Sequence, residues 1–311
     1  MTGYEALRES VAWIDEANRG KLAVSGEDRA RLLHAMSTND VQHLAAGDGL
    51  YAFFLSAQGR ILADANIYNL GDILFLDTEP ETAEKLRNHL DKYIIADDAA
   101  VENESAKWTT IALEGPQTPE YAARLGIPVP QKKYGIQNWR SGFVARAAST
   151  GPDGLRIFLP REDESAFREQ LTTFETPHAT PSEARIVRLE NAIPRYGEDI
   201  TERYLAQETG IQDALHFAKG CYLGQEIVER VRSRAQIHRV LRPIRIQSTT
   251  APEPGTKLSL DGKDIAEITS AAYSPALGEV VGLAYIRTEA ASSKPAMVVA
   301  NSEPAVHARV A

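Results

Sequence analysis

Leu50-Tyr51-Ala52-Phe53-Phe54-Leu55, then Ala57-Gln58-Gly59, then Ile61-Leu62-Ala63-Asp64-Ala65-Asn66-Ile67-Tyr68-Asn69-Leu70 is the stretch that sets the fold class. Both apolar runs are rich in aromatic and branched residues, and turn types separate them. Gly71-Asp72 turns the chain again into Ile73-Leu74-Phe75-Leu76. The pattern predicts a meander of hairpins. From Thr78 to Tyr93 the period changes. Leu86, Leu90 and Tyr93 share one stripe, and Thr78 or Pro80 stands near the start, so this segment predicts an amphipathic helix. Lys107 to Leu113 predicts a strand and Gln117 to Leu125 a helix. Phe143 to Ser149 and Leu155 to Leu159 predict a hairpin around Thr150-Gly151-Pro152-Asp153-Gly154, and Glu162 to Leu171 another helix. Strands interleaved with helices on one face give an α+β layer of ferredoxin-like type.

Upstream of this core, Glu5 to Arg19 has helical spacing, Lys21 to Ser25 predicts a strand, and Glu27 to Met36 a helix. Ser37-Thr38-Asn39-Asp40 offers N-cap types before Val41 to Leu44. Downstream, Ser182 reads as the cap of a helix from Glu183 to Asn191, which Pro194 ends. Gly224 to Arg234 is helical again. Beyond Ile237 the composition shifts. Val240 to Ile246, Lys257 to Leu260, Lys263 to Ala272, Val280 to Ile286 and Ala296 to Asn301 are strand-like runs between turn residues. They predict a small all-β barrel.

At 311 residues the chain exceeds one small core, and 43% apolar with 25% charged residues is the composition of a globular protein. No apolar run approaches a membrane span, and charged residues from Glu5 to Glu16 leave no signal-peptide core. The net charge of -9 argues against general affinity for nucleic acid or anionic membranes. One basic stretch stands out: Lys219, Arg230, Arg232, Arg234, Arg239, Arg242 and Arg245 against Glu226 and Glu229. It reads as a small-anion site or as a solvated helix face and strand edge.

Cys221 is the only cysteine. That excludes an internal disulfide framework and predicts a reducing, cytoplasmic location. It stands in Lys219-Gly220-Cys221-Tyr222-Leu223-Gly224-Gln225-Glu226. Residue type alone leaves a reactive thiol and a buried structural one open. Lys219 nearby favours the thiolate, and the glycines favour an unusual backbone. His216 is a second ligand or base, or an ordinary capping histidine. One cysteine houses neither a structural zinc nor a cluster alone, the histidines are dispersed, and no metal site is predicted. Glu190 ends an apolar helix. Its carboxylate suits a planar, two-donor ring edge, or a salt bridge to Arg185, Arg188 or Arg195. Asp64, pointing inward, is a buried carboxylate with a raised pKa; pointing outward, an ordinary surface residue.

Taken together these segments resemble a known family. Lys219 to Glu226 resembles the K-G-C-[FY]-x-G-Q-E signature of YgfZ-type folate-binding proteins, relatives of the glycine-cleavage T-protein, an aminomethyltransferase. Leu189-Glu190 through Gly197-Glu198-Asp199-Ile200, Thr38-Asn39-Asp40-Val41, Gly59 to Asp64 and Thr150 to Gly154 resemble that superfamily's other motifs in order. The resemblance implies three domains around a central cavity: residues 1–48 plus 182–236, a ferredoxin-like 49–181, and a β-barrel at 237–311. It implies a tetrahydrofolate-type ligand, as tetrahydrofolate or a one-carbon derivative. Glu190 matches the pterin-gripping glutamate, and the octapeptide is one wall of the cavity. Lys219, Asn39, Tyr196, Gln225 and Glu226 are further implied binding residues, and Cys221, Lys219 and Asp64 the implied catalytic ones. Ala63 replaces the first acid of the family's paired aspartates, so either Ala63 or Asp64 answers to the transferase aspartate. The implied role is folate-dependent support of iron–sulfur enzyme assembly or repair, with client enzymes or assembly proteins as partners. The alternative is a true aminomethyl transferase using Asp64.

Overall fold

In a computed structural model, residues 1–151, 153–234, 237–291, 296–300, 302 and 305–311 are described. Pro152 of the predicted hairpin turn and Asn301 of the last predicted strand lie outside them. The chain begins α1 (Gly3–Glu9), β1 (Ala12–Asp15), β2 (Gly20–Ser25), α2 (Arg29–Met36), β3 (Gly49–Leu55), β4 (Ile61–Asn69) and β5 (Leu74–Thr78). It continues α3 (Ala83–Asp91), β6 (Ala100–Asn103), β7 (Trp108–Glu114), α4 (Thr118–Arg124), β8 (Ile136–Trp139), β9 (Gly142–Ala145) and β10 (Gly154–Pro160). Then come α5 (Glu164–Thr173), β11 (His178–Ala179), α6 (Pro181–Glu190) and α7 (Gln225–Arg234). The last part holds β12 (Arg239–Ile246), β13 (Lys257–Leu260), β14 (Lys263–Ser274), β15 (Glu279–Arg287), α8 (Thr288–Ala291), β16 (Met297–Val299) and β17 (His307–Val310).

The meander forms and becomes part of a 5-stranded sheet of order β3-β4-β5-β2-β6. Leu32, Leu33 and Met36 of α2, and Leu86 and Leu90 of α3, bury against its Leu22, Val24, Ile67 and Leu76. A 6-stranded sheet, β11-β1-β7-β10-β9-β8, buries Ile111, Leu113 and Ile157 under Ala122 of α4 and Phe167 and Leu171 of α5. Tyr68 and Phe75 of the first sheet meet Phe143 and Phe158 of the second, with Phe143 and Phe158 stacked 4.6 Å apart. Truncating one such ring to alanine costs about 3–5 kcal/mol. Strands β12-β15-β14-β13-β16-β17 form a closed barrel. The fold is thus mixed α+β with a six-stranded C-terminal barrel, as predicted.

Several local expectations are corrected. Glu5 to Arg19 is not one helix: α1 stops at Ser10, and Ala12–Asp15 pairs with β7 instead. Its β-branched and aromatic residues find cross-strand partners that outweigh the helical spacing. Val41 to Leu44 forms no helix. The would-be cap Thr38 donates to the Ala214 carbonyl at 2.5 Å and accepts from the Phe53 amide at 2.9 Å. Thr180, not Ser182, caps α6, through a capping box with Glu183 and Pro181 in the first turn. Strand pairing also crosses residue 48: β1 and β2 enter the two sheets whose other strands lie beyond it.

Candidate functional site

The apolar stripe of α6 buries Val187 and Leu189, and the helix ends on Glu190. A carboxylate at a helix C-terminus meets the negative end of the dipole and needs compensation. Here it comes from remote elements. The Tyr4 hydroxyl of α1 donates to Glu190 Oε1 at 2.5 Å, and the Ser274 hydroxyl of β14 to the same oxygen at 2.6 Å. Arg8 Nε of α1 stands 3.0 Å from Oε2, and the glutamate side chain is only 9% exposed. Glu190 lines a cavity of about 470 Å3 together with Arg8, Gly115, Thr150, Asn191, Arg245 and Leu277, among others. Asn191 fastens one wall by donating to the Thr150 carbonyl at 2.8 Å. Buried Glu114 fastens the same loop by accepting from the Ser149 and Thr150 amides at 2.7 and 2.8 Å. On the barrel side, Arg245 and Arg309 share Glu279 at 3.0 and 2.9 Å, which leaves a positive excess.

Asp64 points inward. It lies opposite Phe53 in the β3–β4 pair and accepts from the Tyr51 hydroxyl at 2.6 Å. Burial, then the negative charge of Glu79, pushes its pKa up to about 6. Glu79 itself is partly buried, and Arg19 and Arg195, both at 2.7 Å, hold it below the usual carboxylate range.

Cys221 is exposed, on a loop clamped at both ends. At one end the buried Lys219 ammonium donates to the carbonyls of Ser37, at 2.6 Å, and of His34, closing the C-terminus of α2. Burial lowers its pKa to about 8. Its own carbonyl lies 2.8 Å from His34 Nε2, and Leu223 N donates to the Ala35 carbonyl at 2.9 Å. At the other end Gly224, at φ 84, packs so closely that a Cβ would stand 2.7 Å from the Ser56 carbonyl. Gly59 meets Ile227 of α7 in the same way, at 2.7 Å. The Gly59–Asp64 stretch and the cysteine octapeptide are therefore neighbours in space.

The other predicted residues are engaged in the scaffold. Asn39 Nδ2 bridges the carbonyls of Tyr51 and Asp213 at 2.9 and 2.8 Å. Tyr196 donates to the Leu62 carbonyl at 2.6 Å. Gln225 Oε1 accepts from the Tyr222 amide at 3.3 Å, and Glu226 pairs with Arg230 on the surface at 2.6 Å. The residues lining the Glu190 cavity include none from the octapeptide. Among the described residues, no group of three or more His, Cys, Asp and Glu is placed to hold a metal ion. Sequence reasoning missed Tyr4, Arg8, Ser274 and Tyr51. Tyr4 and Arg8 carried one usable signal, their i, i+4 spacing on one face of α1.

The GCVT N-terminal domain profile matches residues 2–219, and the glycine cleavage T-protein C-terminal barrel domain profile matches residues 239–311. The chain is similar to the aminomethyltransferase of Rubrobacter xylanophilus, 28% identical over 298 residues, covering 92% of this chain and 78% of that one. It is similar to the aminomethyltransferase of Thermosipho melanesiensis, 26% identical over 290 residues, covering 90% and 79%. A putative chloroplastic transferase of Arabidopsis thaliana is 24% identical over 296 residues, covering 93% and 68%. In fold it is similar to the crystal structure of the glycine cleavage system aminomethyltransferase T from Bartonella henselae, with TM-score 0.89, 20% identity, and coverage of 99% and 87%. The chain belongs to the glycine cleavage T-protein family, with its N-terminal domain over residues 2–219 and its barrel over residues 239–311.

Proposed function

We propose that this protein binds a tetrahydrofolate-type ligand beside Glu190 and supports the assembly or repair of iron–sulfur enzymes in the cytoplasm, in the manner of YgfZ-type family members. Glu190 carries the reading: a nearly buried carboxylate, oriented by Tyr4, Ser274 and Arg8, on the wall of a cavity of about 470 Å3. That volume is in the range of small-molecule pockets. The residues fit the ligand. Glu190 takes the donors of a pterin edge, and the surplus cation at Arg245 and Arg309 suits a glutamyl tail. Bound there, a folate supplies one-carbon chemistry. Cys221, exposed on its clamped loop, is the group that meets a client protein.

Calorimetric titration with tetrahydrofolate tests the ligand. Micromolar binding, weakened at least thirtyfold in Glu190→Ala, is expected; no heat at high micromolar ligand removes the reading. In cells lacking the native protein, Cys221→Ala is expected to leave iron–sulfur enzyme activity low. Full recovery with that variant rules out the thiol's role.

One observation favours a second reading, aminomethyl transfer. Asp64 is buried, touches the Tyr51 hydroxyl and titrates near the pH of the cell, as a general base for an amine does. Methylene-tetrahydrofolate formed from an aminomethyl donor, and lost in Asp64→Asn, would promote it.

A further inference from the structure

The acceptor capacity of Glu190 dictates how a ligand reaches it. A carboxylate offers about four lone-pair positions, two on each oxygen. Both positions on Oε1 are taken, by Tyr4 and Ser274 at 2.5 and 2.6 Å. These hydroxyls are tied in turn, because Tyr4 accepts from the Ala276 amide at 3.3 Å and Ser274 from the Leu277 amide at 3.1 Å. They fix the turn between β14 and β15. Oε2 receives Arg8 Nε at 3.0 Å. Arg8 lines the cavity beside Glu190, while Tyr4 and Ser274 are not among its lining residues. The accessible oxygen of the glutamate therefore already faces the Arg8 guanidinium through one Nε contact.

We propose that Arg8 is a placeholder, holding the position on Glu190 Oε2 that an N–H donor of an incoming ring takes. The proposal rests on the reading that Glu190 grips the cavity ligand. Arg8 reaches Oε2 through Nε alone, so an N–H donor on a ligand ring replaces the contact it makes. Arg8 can leave cheaply. It sits in the last turn of α1, on a long flexible arm, with its side chain 32% exposed. Water solvates the departing cation, and Tyr4, Ser274 and the barrel turn stay in place. Arg8 acts on ligand affinity through this competition, not through contact with the ligand.

The test is calorimetric titration of wild type, Arg8→Met, Glu190→Gln and the double variant with tetrahydrofolate. Methionine keeps an apolar stem and removes every donor. Arg8→Met is expected to bind three- to tenfold tighter than wild type, with the gain absent when Glu190 is glutamine. Equal or weaker binding by Arg8→Met overturns the placeholder while leaving a folate site intact. A gain that persists in the Glu190→Gln background overturns it as well, because the competition would not be for that carboxylate. Failure of all four proteins to bind removes the folate reading itself, and the placeholder with it.

Discussion

Glu190 and Asp64 are both nearly buried carboxylates, and the protein surrounds them in opposite ways. Glu190 collects donors from two separate parts of the chain: Tyr4 and Arg8 on α1, and Ser274 on the barrel. Its charge is matched by a guanidinium at contact distance. Asp64 receives the Tyr51 hydroxyl from the next strand and faces the like charge of Glu79. The first arrangement makes a fixed acceptor, suited to holding a ligand. The second makes a group that exchanges a proton near neutral pH. Two residues of the same chemistry are thereby given opposite electrostatic surroundings by their neighbours.

The largest expected effect is at Asp64. Its folded pKa of about 6 exceeds the ordinary aspartate value. Below the unfolded pKa both states carry the proton, and as pH rises through about 6 the folded carboxyl ionises in an unfavourable place, so stability falls over that window. Asp64→Asn keeps an acceptor for Tyr51 and removes the charge. It is expected to raise unfolding stability at pH 7 by about 2–3 kcal/mol, at about 1.4 kcal/mol per pKa unit, with the gain gone near pH 4. Urea unfolding at both pH values decides this, and a loss of stability at pH 7 would break the contrast. Glu190→Gln should move the other way. It ends the ion pair to Arg8 and weakens the two hydroxyl bonds, at an expected cost of about 1–2 kcal/mol in the same assay.

The sequence made the sheet meander, the capped α6 and the barrel readable because each rests on local periodicity. Leu86 with Leu90, or the apolar run Val280–Ile286, needs no knowledge of distant chain. The failures have a common cause. Ala12–Asp15 becomes a strand because β7 lies beside it, and Thr38 stops being a cap because Ala214 lies within reach. At the site, Glu190 and Asp64 were legible as carboxylates on an apolar helix and strand. Their partners were not, since Tyr4 and Ser274 come together across 270 residues of sequence to hold one oxygen. Lys219 shows the reverse: a motif lysine that reads as a thiolate-tuning charge has its ammonium on the carbonyls of α2.

Lys219 extends the contrast to a buried cation, with a smaller effect. Burial lowers its pKa to about 8. Below that value the ammonium is charged in both states and its burial is costly. Between about 8 and the ordinary lysine value the folded group has lost its proton while the unfolded one keeps it, so this group's contribution to stability rises with pH. Lys219→Met removes that dependence but leaves the His34 and Ser37 carbonyls without their donor. A net loss of about 1 kcal/mol at pH 7 is expected, together with faster alkylation of Cys221 as the loop loosens. Unfolding curves that keep their rise above pH 8 in this variant would assign the effect to another group.

Cys221 should be the quietest position of all. Its thiol is exposed and its loop is held by Lys219, Leu223 and Gly224 rather than by the sulfur. Cys221→Ser is therefore expected to change stability by less than about 0.5 kcal/mol. Ligand affinity should stay within twofold of wild type, because no octapeptide residue is among those lining the Glu190 cavity. Titration calorimetry on this one variant thus separates two architectures. Unchanged affinity with lost support of iron–sulfur enzymes places the thiol in a step with a partner, apart from ligand binding. A tenfold change in affinity joins thiol and cavity into one site.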